Sequence, residues 1–255
     1  MTSIDACGLT DTGLTRQRNE DCFAIAEESG LFVVADGMGG HSHGEVASQL
    51  SVDSILHFVT RNGEVTPPFQ PWDEDLLPHS NLLKGAILLA QKKVLRAIES
   101  DLSLSGMGTT VVGLMVRDGF GAVAHVGDSR IYRARDESFE LLTQDHSWVN
   151  EQVMAGYLSD EQARTHPLRN VVTRALGGEA EVEVDIREVS VQPGDIFVLC
   201  SDGLTGMLRD EEILALLRQQ SDLQAACQSL IDAANARGGA DNITVVLVAI
   251  GSEPE

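Results

Sequence analysis

The sequence predicts an α+β fold in which helices cover β-sheets. Short apolar runs with period-two alternation recur along the chain, and pairs of segments with helical spacing lie between them. We find no internal repeat and no low-complexity tract. With 255 residues, of which 43% are hydrophobic, the chain suits one large domain over 1–255, and two small domains are the weaker alternative.

The first part of the chain predicts two strands and two helices. Residues 22–36 form two short apolar runs joined by a Glu-Ser-Gly turn. Helical spacing follows over 45–61 and over 81–99, where Asn81 is the expected N-cap. Between these helices, 62–80 is rich in proline, which indicates a surface excursion. This excursion either contacts a partner or is a tolerated insertion.

The sequence from residue 109 onwards predicts mainly strands. Three apolar runs over 109–135, the first two joined by an Asp-Gly turn, indicate a β-meander. A polar helical stretch over 146–165 precedes the apolar run FVLCS. Two amphipathic helices and a last strand are then expected at 210–219, 222–236 and 243–250.

The chain is strongly acidic. It carries 39 acidic and 18 basic residues, a formal net charge of −21. Such a surface repels nucleic acid and anionic membranes and favours metal cations or basic protein partners, although solubility alone could explain it. The first 20 residues lack the apolar segment of a signal peptide, and no run has the roughly 18 apolar residues of a membrane span. We therefore expect a cytoplasmic protein that binds neither nucleic acid nor membranes.

The four cysteines show neither metal-ligand spacing nor a disulfide framework. Cys22 and Cys200 lie in apolar runs, as buried thiols do. No P-loop, G-x-S-x-G elbow or cysteine followed six residues later by arginine is present. The sequence therefore indicates no protein nucleophile.

Four aspartates stand at the edges of apolar runs. Each alone is an ordinary turn residue. Several carboxylates that converge on one cleft would repel each other unless a cation stood between them. Oxygen ligands favour Mg²⁺ or Mn²⁺, and two such ions can bind and activate a water. The aspartates are Asp36, Asp128, Asp202 and Asp241.

A second cluster of charges lies near the N-terminus. Residues 15–21 place Arg16 and Arg18 beside Glu20 and Asp21. In so acidic a chain, an arginine next to a metal cluster is a candidate clamp for a phosphoryl oxygen. The alternative is an ordinary surface ion pair.

These residues match a known family. The chain resembles the metal-dependent serine/threonine protein phosphatases of the PP2C (PPM) type, in their compact bacterial form. The matching segments occur in the family's order and span nearly the whole chain. They are RQRNED (16–21), VVADGMGGHSHGE (33–45), GMGTTVV (106–112), AHVGDSRIYR (124–133), LTQDHS (142–147), VVTRALG (171–177), VLCSDGLT (198–205) and GADNITVVLV (239–248).

The resemblance implies a four-layer α-β-β-α sandwich, in which two antiparallel sheets are flanked by helices and a binuclear Mn²⁺ or Mg²⁺ centre lies at one end. It implies that Asp36 bridges both ions and that the Gly37 carbonyl binds one of them. Asp202 and Asp241 complete the shell of the other ion.

The resemblance also assigns roles to residues near the two ions. Glu20 contributes to the first ion directly or through water, and Asp21 lies in the outer shell. Asp128, with Asp202, would hold a possible third and weaker ion. Arg16 matches the phosphate-binding arginine of the family, and Arg18 has no such role.

The implied reaction is direct attack of a metal-activated water on a phosphoserine or phosphothreonine. Some members carry a histidine as general acid two residues after the bridging aspartate, but this chain has Met38 there. His41 is the nearest substitute, and a metal-bound water is the alternative. A flap over about 146–170 would control substrate access, and His125 and His146 are expected to be structural.

The sequence thus predicts a phosphatase that acts on phosphoproteins, including a bacterial Ser/Thr kinase. A catalytically dead regulatory module would have lost metal ligands, yet every matching acid is present. A small-molecule phosphatase would use the same centre and stays open. A calcium-binding structural domain would need the ligand spacing of an EF-hand, which is missing.

Overall fold

A computed structural model describes residues 3–39, 43–61 and 72–251. Their strands form two antiparallel sheets that pack face to face, and helices cover both outer faces. The four-layer α-β-β-α sandwich implied by the resemblance is therefore confirmed. No helix in these ranges is long and apolar enough to span a bilayer.

The strands divide between the sheets in an order that differs from their order in the chain. They are β1 (Ser3–Asp11), β2 (Asp21–Ala26), β3 (Leu31–Met38), β4 (Gly108–Thr109), β5 (Val111–Arg117), β6 (Phe120–Val126), β7 (Arg130–Arg135), β8 (Ser138–Leu141), β9 (Asp185–Ser190), β10 (Ile196–Cys200) and β11 (Ile243–Gly251). The first sheet has the order β1-β11-β10-β7-β8. The second has the order β2-β3-β5-β6-β9, and the short β4 pairs with β3.

Two groups of helices cover the sheets. Helices α1 and α2 pack on the second sheet, and α5 to α7 pack on the first. The helices are α1 (Gly44–Thr60), α2 (Pro78–Ser100), α3 (Trp148–Met154), α4 (Asp160–Thr165), α5 (Asp202–Thr205), α6 (Asp210–Gln219) and α7 (Leu223–Ala236). Single 3₁₀ turns lie at Glu27–Ser29 and Leu102–Leu104.

The core forms three apolar layers, and strand β3 shows why. Leu31, Val33 and Ala35 pack against the helices of the second sheet. Phe32 and Val34 pack between the two sheets. Because successive residues of a strand face opposite sides, a strand between a helix layer and another sheet must be apolar on both sides. This explains the near-continuous apolar runs in the sequence.

The β-meander predicted over 109–135 is right for its first hairpin, because β5 and β6 pair across the predicted Asp-Gly turn, and wrong for its third strand. Strand β6 pairs with β5 and β9, whereas β7 pairs with β8 and β10 in the other sheet. The chain crosses between the sheets at 127–129. Gly127 has φ +108°, and a Cβ there would lie 2.5 Å from Cβ of Thr110. The crossover therefore requires glycine, and the apolar pattern alone could not show it.

Two helix predictions also need correction. Helix α2 begins at Pro78 rather than after Asn81, since proline suits the first helical turn. The Asn81 amide instead donates to three backbone carbonyls that precede the helix, those of Asp73, Leu76 and Leu77. The helical stretch over 146–165 is two short helices separated at Gly156, which has φ +76°. Of the proline-rich excursion, 62–71 lies outside the described residues.

Candidate metal centre

One end of the sandwich collects the acidic strand ends. Asp21 and Asp36 lie opposite each other on paired strands β2 and β3. Strand β10 ends just before Asp202, and Asp241 lies just before the antiparallel strand β11. Asp128 lies in the crossover between the sheets. Because the carboxyl end of one antiparallel strand adjoins the amino end of its neighbour, distant residues meet at this edge.

Asp36 lies at the centre of these carboxylates. Burial raises its pKa well above the ordinary value, and the charges of Asp21, Asp202, Asp128 and Asp241 raise it further. Burial and Asp202 likewise raise the pKa of Asp128. The structure therefore brings together the four aspartates that the sequence singled out, and it adds Asp21 to them.

The neighbouring acids respond in the same way. Burial, opposed by hydrogen bonds from Thr244 and Ser201, raises the pKa of Asp21 to about 6. Burial and the charge of Asp241 raise the pKa of Asp202 to about 6. These carboxylates disfavour each other's charged form, which a divalent cation would reverse.

One carboxylate oxygen of Asp21 has hydrogen-bond partners in the described part of the protein, and the other has none. Its Oδ2 accepts hydrogen bonds from Ser201 Oγ at 2.8 Å and Thr244 Oγ1 at 2.6 Å. Its Oδ1 is buried and has no hydrogen-bond partner in the described part of the chain. A buried acceptor among carboxylates is costly unless a cation or a water satisfies it. The donor set therefore fits a hard cation.

Gly37 and Glu20 lie side by side at the edge of this group. The Gly37 amide donates to the Glu20 carbonyl at 3.1 Å. A Cβ on Gly37 would lie 2.3 Å from the Gly44 carbonyl oxygen, so a larger residue does not fit. Burial, followed by the charge of Glu45, raises the pKa of the Glu20 carboxyl.

Arg16 reaches the group and Arg18 does not. Arg16 Nη2 donates to Asp241 Oδ2 at 2.7 Å, and its side chain is 51% exposed. Arg18 pairs instead with Glu45 at 3.5 Å. The guanidinium of Arg16 thus stands at the solvent side of the carboxylates, where an anion could approach.

Asn242 is a residue whose role the sequence reasoning missed. Its Oδ1 accepts from the Glu20 amide at 2.8 Å, and its Nδ2 donates to the carbonyls of Thr12 at 3.0 Å and Arg18 at 2.8 Å. The residue is only 5% exposed. It therefore fixes the 12–20 loop, which carries Arg16 and Glu20, against the loop of Asp241. Its place directly after Asp241 was the available signal.

Replacing Asn242 with alanine is expected to lower the free energy of unfolding by about 1–2 kcal/mol, because partly buried backbone groups of Thr12, Arg18 and Glu20 lose their hydrogen-bond partner. Activity should fall with it, because Arg16 and Glu20 lose their support. Thermal unfolding and phosphatase kinetics of Asn242→Ala check both effects. An unchanged melting temperature would show that the loop is held in other ways.

A second cluster of possible ligands has a different explanation. His125, His146 and Asp185 have ligand atoms within 4.8 Å of one another. However, His125 Nε2 bonds the Gln144 carbonyl at 2.8 Å, and His146 Nδ1 accepts from the Gly127 amide at 3.0 Å.

The guanidinium of Arg174 fills the remaining space in this cluster. It lies 3.1 Å from His146 Nε2 and 2.7 Å from Asp185 Oδ1. The two histidines therefore belong to a hydrogen-bonded network that supports the crossover after β6. This is the structural role that was expected of them.

The histidine pair predicts a pH dependence of stability. Burial lowers the pKa of both His125 and His146 below the ordinary value. Just below pH 6.5 the unfolded chain therefore binds more protons than the folded chain. The free energy of unfolding consequently decreases as the pH falls through this range. The melting-temperature difference between wild type and His125→Gln should be smaller at pH 5.5 than at pH 7.5. A difference that widens at low pH would contradict this.

The expected general acid is not placed. His41 lies outside the described residues and stays a prediction. Met38 borders a groove of about 840 Å³ that runs between α2 and residues 172–184. The 146–170 segment ends just before Val172, which lines this groove. Its two ends are tied together, since the Trp148 amide donates to the Val171 carbonyl at 2.8 Å. Its tip is exposed, as at Tyr157.

Comparison with known proteins agrees with this geometry. The family model described as Protein phosphatase 2C matches residues 14–244. The chain belongs to the protein phosphatase 2C family. It is a protein serine/threonine phosphatase of that family, as the sequence predicted.

Relatives in the PP2C family match along nearly their whole length. The serine/threonine phosphatase stp of Listeria innocua is 38% identical over 94% of this chain and 93% of its own. The crystal structure of Mycobacterium tuberculosis PstP/Ppp, 34% identical, covers 99% of this chain and 100% of its own with a TM-score of 0.86. A PstP catalytic domain in complex with two manganese ions, 32% identical, has a TM-score of 0.85 over 99% and 100% of the two chains.

Proposed function

We propose that this PP2C phosphatase hydrolyses phosphoserine and phosphothreonine in proteins at a binuclear centre built on Asp36. The observation that carries the proposal is the group of mutually repelling carboxylates around Asp36, with the unsatisfied oxygen of Asp21 among them. Two Mn²⁺ or Mg²⁺ ions bound there would supply Lewis acidity and an activated water. Phosphoproteins, including a Ser/Thr kinase, are the proposed substrates.

The ligands follow from the placement of the acids. Asp36 would be shared by both ions, since the charge of every other aspartate of the group raises its pKa. The Gly37 carbonyl and Glu20 would serve one ion. Asp202 and Asp241 would serve the other.

The number of carboxylates supports two ions. Asp36 is repelled by the charges of Asp21, Asp202, Asp128 and Asp241. Two divalent cations that share one ligand would balance more of this charge than a single ion. Asp128, whose pKa responds most to Asp202 after burial, would hold a third ion with that residue.

Arg16 would bind the phosphoryl group. Its guanidinium already donates to Asp241, so it can turn a second N–H towards an incoming phosphoryl oxygen without leaving the carboxylates. This contact would orient the phosphate and offset negative charge that builds on its oxygens. His41 is proposed to protonate the departing side-chain oxygen.

The groove beside Met38 suits the polypeptide around the phosphorylated residue. Its volume of about 840 Å³ exceeds what a phosphate needs. The 146–170 segment next to it would act as a lid that controls access. These features favour a protein substrate over a small metabolite.

The test is hydrolysis of a phosphothreonine peptide and of p-nitrophenyl phosphate, after removal of metal and with Mn²⁺ or Mg²⁺ restored. Both activities should vanish with chelator and return with the ion. Mn²⁺ should also raise the melting temperature, because it relieves repulsion among the carboxylates. Hydrolysis that survives chelation would refute the metal centre, and failure on the peptide alone would point to small-molecule substrates.

A further inference from the structure

A second cavity lies at the end of the sandwich opposite the aspartates. It has a volume of about 390 Å³ and lies between the start of α2 and the turn that joins β5 to β6. We call it the distal cavity. Leu77 and Leu82 contribute apolar side chains to it, and Trp72 and Phe120 line it while remaining 53% and 45% exposed. Strand β5 runs between the two ends and, with 7 residues, separates them by about 20 Å.

The exposed aromatic rings indicate a binding surface. Aromatics make up only 4% of the chain, and most large apolar residues in the described ranges are buried. Two exposed rings at one concave apolar surface are unusual for a surface that contacts only water. Trp and Phe are also residues that interfaces favour.

His79 gives an independent indication. It lines the distal cavity, is 6% exposed, and its buried Nε2 has no hydrogen-bond partner among the residues that the structure describes. A buried ring nitrogen without a partner is costly to the fold. Since this nitrogen is not accessible to solvent, a ligand that shifts the His79 ring on binding would be needed to supply the missing partner.

The charges around the distal cavity select a basic ligand. Asp118 lines it, and the exposed Glu74 and Asp75 follow Trp72 closely in the chain. Asp73, which lies between them and Trp72, already has Lys84 at 4.0 Å. Arg117 is the one cationic residue among those that line the cavity. A lysine or arginine of a partner would meet these carboxylates and could also stack on the Trp72 ring.

We propose that the distal cavity is a docking site for phosphoprotein substrates, where it binds an apolar side chain flanked by lysine or arginine. The proposal rests on the proposed protein phosphatase function. Since the cavity lies about 20 Å from the aspartates, the docked segment is separate from the residues beside the phosphate. Docking raises the local concentration of the phosphorylated residue, so it lowers KM and leaves the chemical step unchanged.

The test uses three synthetic phosphothreonine peptides with the same phosphorylated sequence. The first carries, after a Gly-Ser linker, the segment Arg-Lys-Phe-Lys-Arg. A linker of about 16 residues spans roughly 22 Å on average. The second replaces the basic residues with glutamate, and the third ends at the linker. We expect KM for the first peptide to be about fivefold lower than for the other two.

Substitutions in the distal cavity test whether the lower KM of the first peptide depends on this cavity. Trp72→Ala combined with Phe120→Ala should abolish the advantage of the first peptide while hydrolysis of p-nitrophenyl phosphate stays normal. Leu102→Ala is the matched control, because Leu102 is also a large exposed apolar residue, at 79%, and does not line the cavity. It should leave all three KM values unchanged.

His79→Leu separates binding from folding. It removes the unsatisfied nitrogen, so the melting temperature should rise while the advantage of the first peptide shrinks. Equal KM values for the three peptides in the wild type would overturn the docking site and leave the phosphatase function intact. If none of the peptides is hydrolysed but p-nitrophenyl phosphate is, the protein phosphatase function fails instead. Fluorescence anisotropy of the labelled basic segment without phosphate then still decides whether the cavity binds it.

Discussion

Replacing Asp36 with asparagine should reduce kcat for p-nitrophenyl phosphate at least about a thousandfold, or ~4 kcal/mol of transition-state stabilisation. Asp36 lies at the centre of the carboxylates, where Asp21, Asp128, Asp202 and Asp241 all act on it. Asparagine in its place keeps the shape of the side chain. It cannot supply the negative charge needed by two cations that would share this ligand. Steady-state kinetics at saturating Mn²⁺ measure the loss.

The fold should survive this substitution. In the absence of metal, Asp36→Asn removes one of several charges that repel each other, so the melting temperature of the metal-free protein should not fall. Mn²⁺ should then raise it less than in the wild type. Asp53→Asn, on the exposed surface of α1, is the matched control and should behave as the wild type does. An Asp36→Asn variant with more than a tenth of wild-type activity would exclude Asp36 as the shared ligand.

Removing the guanidinium of Arg16 should raise KM about 10- to 100-fold, which corresponds to the loss of charge-assisted hydrogen bonds to phosphate. The smaller effect should be on kcat, because the ions would still be held. Arg16 is half exposed and bonded to Asp241, so its loss should not unfold the protein. Initial rates of Arg16→Ala over a range of p-nitrophenyl phosphate concentrations give both constants.

Arg18 provides the comparison for Arg16. It lies two residues away and is also exposed, but it pairs with Glu45. Arg18→Ala should therefore leave KM unchanged. If both variants raise KM equally, the effect is the general loss of positive charge near an acidic site, and Arg16 has no specific contact with phosphate.

Much of the fold could be predicted from local patterns. Period-two and helical spacing located α1, α6, α7 and β11 to within about two residues, because each buries one continuous apolar surface. The same patterns missed β1, β8 and β9, whose residues are more exposed and mixed in polarity. They also mistook the crossover after β6 for a hairpin, since a strand pattern does not record its partner.

The candidate site divides in a similar way. Asp36, Asp202 and Asp241 could be found because a carboxylate at the edge of an apolar run is visible in the sequence. The position of Asn242 directly after Asp241 was visible, but its hydrogen bonds could not be predicted, because they join loops more than 200 residues apart. Nor could the distal cavity, which needs the start of α2 to meet the β5–β6 turn.

The sequence by itself determined the chemistry: oxygen ligands at strand ends, an arginine near them, and an acidic surface. The tertiary structure decided which of these groups meet. It placed Asp21 among the carboxylates with an unsatisfied oxygen, and it separated Arg16 from Arg18 by giving them different partners. The physical reason is that charge and polarity are properties of single residues, whereas repulsion and unsatisfied hydrogen bonds depend on distances that only the packed sheets define.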